Sequence, residues 1–223
     1  DISRHGVRLR SHIKTHKIPD IALQQLAAGA AGIAAAKVSE AEVFAAAGCR
    51  DVVIAYPIAG EAKWKRAAEM AANVKMTVNV DSDVSARGLS AAAVARGVTI
   101  HLQVEIDTGF HRCGFAPDDI DGIERFCRLV MSLPGVELEG VTTHRGMFFA
   151  GTSEVTPRQA GHEEGRLLVE VAEKLRARGI PVREVTAGGT ITGRYVAEVP
   201  GITEVRAGTY VFYDMMQAGY GSA

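Results

Sequence analysis

Short β-type runs and helical stretches alternate along this chain eight times over. The β-type runs fall at residues 7–14, 32–37, 51–57, 74–80, 99–107, 136–144, 182–189 and 204–214, with helical patterns between them at 19–29, 39–48, 61–73, 84–96, 117–133 and 156–178. Repeated βα alternation implies parallel strands joined by helical crossovers. Eight strands favour closure into a barrel, and 223 residues give eight units of roughly 28 residues, the length of a βα unit. No linker, low-complexity tract or charge block divides the chain, so one α/β domain over 1–223, a (β/α)8 TIM barrel, is expected. Local signals punctuate the helices. Gly6 suits the C′ position of an opening helical turn, Ser39 and Glu42 have capping-box spacing, and Pro157 and Gly179 bracket the longest helix.

Side-chain parity in the strands divides by polarity. Val7, Leu9 and Ile13 alternate with Arg8, Arg10, His12, Lys14 and His16; Ile100, Leu102, Val104 and Ile106 alternate with His101, Gln103, Glu105 and Asp107. The fourth strand does the same, Val74, Met76, Val78 and Val80 opposing Lys75, Thr77, Asn79 and Asp81. Successive strand residues point to opposite faces. Helices must cover the apolar face, so the polar face turns into the barrel. Barrel interiors are ordinarily packed with branched aliphatics. A polar interior is costly unless its members pair or bind something.

Composition narrows the partners. With 25 basic and 26 acidic side chains the net charge is −1, which gives no cationic field for nucleic acid or an anionic membrane. No apolar run approaches the ~18 residues of a membrane helix, and no signal-peptide pattern opens the chain. Cys49, Cys113 and Cys127 lie far apart and read as thiols of a cytoplasmic protein.

Barrel active sites lie at the C-terminal ends of the strands. Here those ends carry His12-Ile-Lys14-Thr-His16-Lys17, Tyr56-Pro57, Asn79-Val-Asp81, Asp107 through Gly114 with Arg112, Thr142-Thr-His144-Arg145, Gly188-Gly189-Thr190, and Arg206-Ala-Gly208-Thr209. Basic and hydroxyl residues crowd one rim, which suits an anionic ligand such as a phosphate. The glycines after strands seven and eight allow close backbone approach, and Thr190 and Thr209 add donors. Lys14, aimed inward amid Arg10, His12 and His16, should have a lowered pKa. A neutral amine there can form a Schiff base with a carbonyl cofactor such as pyridoxal phosphate (PLP). The other reading is an interior lysine paired with Glu105 or Asp107. His12 and His16 have metal-pair spacing, but without nearby carboxylates or thiols they read as hydrogen-bonding groups of the same site. The apolar 146–150 segment reads as a buried loop, a lid or a dimer contact.

At these residues the sequence resembles the fold-type III PLP enzymes of the alanine racemase superfamily, and within them the D-threonine aldolase and D-serine dehydratase group. The likeness rests on Leu9-Arg-Ser-His-Ile-Lys-Thr-His-Lys17, Asp51-Val-Val-Ile-Ala-Tyr-Pro57, Ile106-Asp-Thr-Gly-Phe-His-Arg-Cys-Gly114 and Val205-Arg-Ala-Gly-Thr-Tyr-Val-Phe-Tyr-Asp214. It implies a PLP-binding barrel of the alanine racemase type, with Lys14 as the Schiff-base lysine. Arg112 would lie near the cofactor phenolate and His144 against its ring. Gly188, Gly189, Thr190, Gly208 and Thr209 would hold the phosphate, Arg206 would reach toward the pyridine nitrogen, and Tyr56 and His16 would face the substrate.

The resemblance further implies a homodimeric lyase acting on D-amino acids with a β-hydroxyl group. In that group a β-rich domain after the barrel supplies a His-x-Asp or His-x-Cys pair for Mn2+ or Zn2+. This chain is expected to be the barrel alone, so a divalent metal enters only with that further domain. Two other readings share the barrel: an amino-acid racemase, and a non-catalytic PLP-homeostasis protein built as a single barrel. The lysine motif favours the lyase group.

Overall fold

The computed structural model describes residues 2–145 and 156–219, so the 146–150 segment lies outside the described residues. The chain forms a closed parallel barrel in sequential strand order. Its strands are β1 (Arg8–His12), β2 (Gly32–Ala35), β3 (Asp51–Ile54), β4 (Lys75–Val80), β5 (Ile100–Ile106), β6 (Val136–Thr143), β7 (Glu184–Ala187) and β8 (Glu204–Val205). The crossovers carry α1 (Pro19–Ala27), α2 (Val38–Ala46), α3 (Glu61–Ala71), α4 (Asp83–Arg96), α5 (Ile120–Ser132), α6 (Pro157–Ala177) and the single turn α7 (Gly193–Val196). A short α8 (Met215–Gly219) follows β8. Closure comes from β8 pairing with both β7 and β1, Glu204 standing beside Thr186 on one side and Arg8 on the other.

The apolar parity faces the helices as expected. Met76, Val78, Val80, Ile100, Leu102 and Val104 are fully buried in one core with Phe44, Leu89, Ile123, Leu168 and Leu175 from the helices. Burying one such side chain stabilises by roughly 1.5–3 kcal/mol, which is why this parity cannot slip.

The polar parity fills the barrel in layers, and its lower layers are paired. Arg10 donates to Glu204 (2.9 Å) and to Asp51 (2.7 Å). Gly32 makes room for it, since a Cβ there would collide with the Arg10 guanidinium. At the N-terminal mouth Lys75 and His101 both reach Glu139 at 2.9 Å, and Arg8 pairs with Glu184. Glu139 is the extra residue of a bulge in β6, where the register against β5 shifts after Leu102. Higher up, Asn79 donates to Glu105 (2.6 Å) and Gln103 to Thr186 (3.3 Å).

Two local expectations are corrected. The strand expected at 204–214 lasts only two residues, because its ladder partner β7 ends at Ala187, opposite Val205, and the chain then leaves the barrel wall to form the rim. Ser39 does not cap α2. The N-cap is Lys37 without a side-chain cap, and Glu40 instead accepts from the Ala36 N–H at 3.1 Å. A capping box does open α6, between Thr156 and Gln159, with Pro157 in the first turn.

Candidate functional site

The C-terminal rim encloses a cavity of about 150 Å3 lined by His12, Lys14, Ala36, Ala55, Tyr56, Arg112, His144, Gly188, Gly189, Thr190, Arg206, Gly208 and Thr209. Residues from seven of the eight strand ends, up to 197 positions apart in sequence, thus meet in one place. His12 is the last residue of β1, and the turn after it carries Lys14 to the cavity mouth. Loop 107–115, tied back to β5 by hydrogen bonds between Asp107 N–H and Phe115 O and between Phe115 N–H and Glu105 O, delivers Arg112. The Arg112 guanidinium lies over the rings of Tyr56 (5.0 Å) and Phe110 (5.2 Å).

The electrostatics are those of a site short of negative charge. Lys14, Arg112 and Arg206 form no ion pair among the described residues. Lys14 is held below the usual lysine range, first by partial loss of water and then by Arg112 and Arg206. Burial, helped by Arg206, Arg112 and Lys14, pushes His144 down to about 3, and His12 is likewise held well below its ordinary value. Both imidazoles are therefore neutral at pH 7. Arg206 is buried and donates to Thr143 O at 2.9 Å, while its Nε has no partner. Burial lowers the Arg206 pKa, and among carboxylates Glu105, itself raised by burial, opposes that most strongly.

Several expected neighbours are elsewhere. Arg10 does not act on Lys14, since it is held one layer below by Glu204 and Asp51. Glu105 hydrogen-bonds Asn79, and Asp107 accepts from Gly109, His111 and the His111 ring, so neither pairs with Lys14. His16, expected beside the substrate, is not in the cavity lining. It is buried edge-on to Phe44 with its Nδ1 accepting from Ile18 N–H at 3.0 Å, because the chain turns after Ile13 and reverses the strand parity. Gly208 does not offer its N–H to the cavity. Both Gly208 N–H and Tyr210 N–H donate to Thr190 Oγ1, at 3.3 and 3.1 Å, which ties the seventh and eighth rim loops together.

Two residues of the site were not singled out from sequence. Phe110 packs edge-on against His144 at 5.7 Å besides flanking Arg112. Glu164, on α6, is a buried carboxylate that accepts from Gly188 N–H at 3.2 Å, directly behind the glycine turn. The hint was present in Gly161-His-Glu-Glu-Gly165, two glycines bracketing an acid inside a helical pattern, which signals close approach to another segment.

A closed parallel barrel that gathers a lysine, two uncharged imidazoles and two arginines without ion pairs among the described residues at its C-terminal mouth has the charge balance that suits an anionic ligand. The chain belongs to the family described as alanine racemase, N-terminal domain, whose profile matches residues 1–215. It is 36% identical over 211 residues to the D-threonine aldolase of Arthrobacter sp, covering 95% of this chain and 55% of that protein. It is 35% identical to the D-threo-3-hydroxyaspartate dehydratase of Delftia sp. (strain HT23), covering 97% of this chain and 57% of that one. The structure of the D-threonine aldolase from Filomicrobium marinum superposes with a TM-score of 0.89 at 32% identity, covering 99% of this chain and 58% of that chain. The chain therefore spans a little over half the length of these relatives.

The family is PLP-dependent, and the residues present fit that cofactor. A buried arginine donor without a partner, three unpaired cations and a glycine-threonine turn match a ligand carrying a phosphate and a phenolate. For a divalent metal the described residues offer no cluster of three or more His, Cys, Asp or Glu side chains, so no step is derived through one. No helix among the described residues is long and apolar enough to cross a membrane.

Proposed function

We propose that the protein is a PLP-dependent lyase acting on D-amino acids that carry a β-hydroxyl group, of the D-threonine aldolase or D-serine dehydratase type. The observation that carries this reading is the convergence of Lys14 with Arg112, Arg206, His12 and His144 in one cavity. The aldolase and dehydratase named above, matched along nearly the whole chain, support the reaction class. A single PLP-binding barrel over 1–223 is the unit we assign these roles.

When bound, PLP supplies an electron sink for negative charge developing at the substrate Cα. The chain supplies the rest. Lys14 Nζ would hold the cofactor aldehyde in the resting protein. Its lowered pKa leaves more of the amine neutral than for a solvated lysine, so it can take or return a proton at Cα once the substrate amine has replaced it. Arg112, braced between Tyr56 and Phe110, would neutralise the phenolate oxygen, and Arg206 would face the pyridine nitrogen. The uncharged His144 ring faces the cavity without adding charge. Thr190 and Thr209, with the backbone N–H groups of Thr190 and Ile191, would hold the phosphate, and the neighbouring glycines would leave room for it. Cleavage between Cα and Cβ gives glycine and an aldehyde; loss of the α-proton and then of the hydroxyl leaves an enamine, whose imine tautomer water hydrolyses to a keto acid and ammonia.

In the same reading the protein is a cytoplasmic homodimer. Exposed Phe212, Met215 and Met216, beside the rim, supply apolar surface for such a contact. The test is turnover of D-threonine, D-serine and their L-forms by the PLP-loaded protein, with and without Mn2+, reading aldehyde and keto acid separately. Product from the D-forms alone is expected. Interconversion of D- and L-forms without either product would favour a racemase, and a bound cofactor with no turnover at all would favour a carrier.

A further inference from the structure

We infer that Glu164 is a positioning residue that sets the outward-facing donors of the phosphate turn, an inference that rests on the PLP reading above. The α6 helix reaches the rim because Gly161 and Gly165 flank Glu164. A Cβ on Gly161 would stand 2.8 Å from Tyr195 Cβ and 2.9 Å from Thr192 O, and one on Gly165 would stand 2.9 Å from Val199 Cγ2. The two glycines thus let α6 lie directly on the 192–199 segment and present the carboxylate to the turn before it.

Once there, the carboxylate is fully engaged. Its Oε1 accepts from Gly188 N–H and from Arg145 N–H, both at 3.2 Å, and its Oε2 accepts from the Thr192 hydroxyl at 3.1 Å. Thr192 Oγ1 in turn accepts from Gly189 N–H at 3.3 Å. The first two N–H groups of the turn are therefore pulled away from the cavity, one directly and one through Thr192. The next two, on Thr190 and Ile191, have no partner among the described residues. A turn whose early donors are anchored behind it presents the later ones to an anion in front. The Arg145 contact ties the same carboxylate to the loop that bears His144, so one side chain fixes both the phosphate turn and the ring beside it.

Nothing in the reaction needs a carboxylate at this place. It is buried and forms no ion pair among the described residues, and burial raises its pKa. Such a group is costly unless its hydrogen bonds organise something. What it organises is the turn.

The experiment compares PLP with pyridoxal, which has the aldehyde and ring but no phosphate, by absorbance and fluorescence titration of the apoprotein. Glu164→Ala is expected to weaken PLP binding at least about tenfold while pyridoxal changes less than about twofold. Thr192→Val, which keeps shape and loses only the hydroxyl relay, should weaken PLP by about threefold, again sparing pyridoxal. Glu164→Gln, which keeps an acceptor oxygen for Gly188 and Arg145, should recover most of the loss. Apoprotein melting curves identify any variant that does not fold, and Thr192→Val then decides alone. Parallel losses of PLP and pyridoxal, or no loss of either, overturn the positioning role. A wild-type protein that binds neither compound overturns the PLP reading itself.

Discussion

The lower barrel and its upper rim are built from the same residue types, yet they are opposite in charge balance. Below, Arg10 lies between Glu204 and Asp51, and Lys75 and His101 converge on Glu139. Burial alone would lower the Arg10 pKa, but its two carboxylates more than reverse that and raise it. Above, Lys14, Arg112 and Arg206 stand together without an ion pair among the described residues, and burial, helped by Arg112 and Arg206, pushes Lys14 and the two imidazoles toward the neutral form. Paired charges inside a barrel are a structural device, whereas unpaired ones at its mouth are free energy held ready for an anionic ligand. The contrast separates residues whose charges hold the fold from residues whose charges are left for a ligand.

The largest break in that contrast is expected at Lys14. Lys14→Ala should abolish the cofactor's lysine-bound absorbance band and lower turnover by at least about 10^3-fold, with an apoprotein that still folds. A retained band would dismiss Lys14 as the attachment point.

Arg10→Met should do the reverse. It strands Glu204 in the interior and is expected to cost about 3–5 kcal/mol in urea unfolding of the apoprotein. By contrast, Arg112→Leu removes a cation that has no ion partner and should change apoprotein stability by no more than about 0.5 kcal/mol. Its effect should appear as a roughly tenfold weaker grip on PLP, from loss of one charge-assisted hydrogen bond. A rim variant that unfolds, or a lower-layer variant that only loses cofactor, would undo the division.

Acid provides a finer and smaller test. His144 has its folded pKa depressed to about 3, so between there and its ordinary value the unfolded chain binds the proton and the fold does not. Apoprotein stability should therefore fall as pH drops below about 6.5, by at most about 1.4 kcal/mol per pH unit for this histidine. His144→Asn should flatten that slope. Glu139, pushed down to about 2 by the His101 hydrogen bond and by Lys75, behaves differently. Its contribution is complete above the ordinary glutamate range and is lost only as pH falls from about 4.5 toward 2. The rim should thus weaken first on acidification and the lower network later, which melting curves between pH 7 and 3 of wild type, His144→Asn and Glu139→Gln would separate.

Much of the site could be read along the chain because the rim of a barrel is where its strands end. Lys14, Arg112, His144, Arg206 and the two glycine turns were chosen for their place at strand ends, and they meet in one cavity. His16 shows where that logic stops. Parity holds only while the backbone stays extended, and β1 ends at His12, so the count that puts Lys14 at the mouth fails two residues later. The expected cap at Ser39 failed for a related reason. The helix began one turn element earlier, at Val38, and Glu40 took the free backbone N–H instead.

By itself the sequence determined the βα alternation, the facing of strand residues outside the β6 bulge and most of the side chains that reach the rim. These follow from local covalent geometry, the period of two in a strand and the punctuation of turns. Only the tertiary structure decided which charges are paired. Arg10 and Glu204 are 194 positions apart and meet because β8 closes against β1. The bulge that turns Glu139 inward and the two glycines that bring Glu164 behind the Gly188-Gly189 turn are likewise set by packing between distant elements. Partner choice depends on register and closure, and neither is encoded in any one segment.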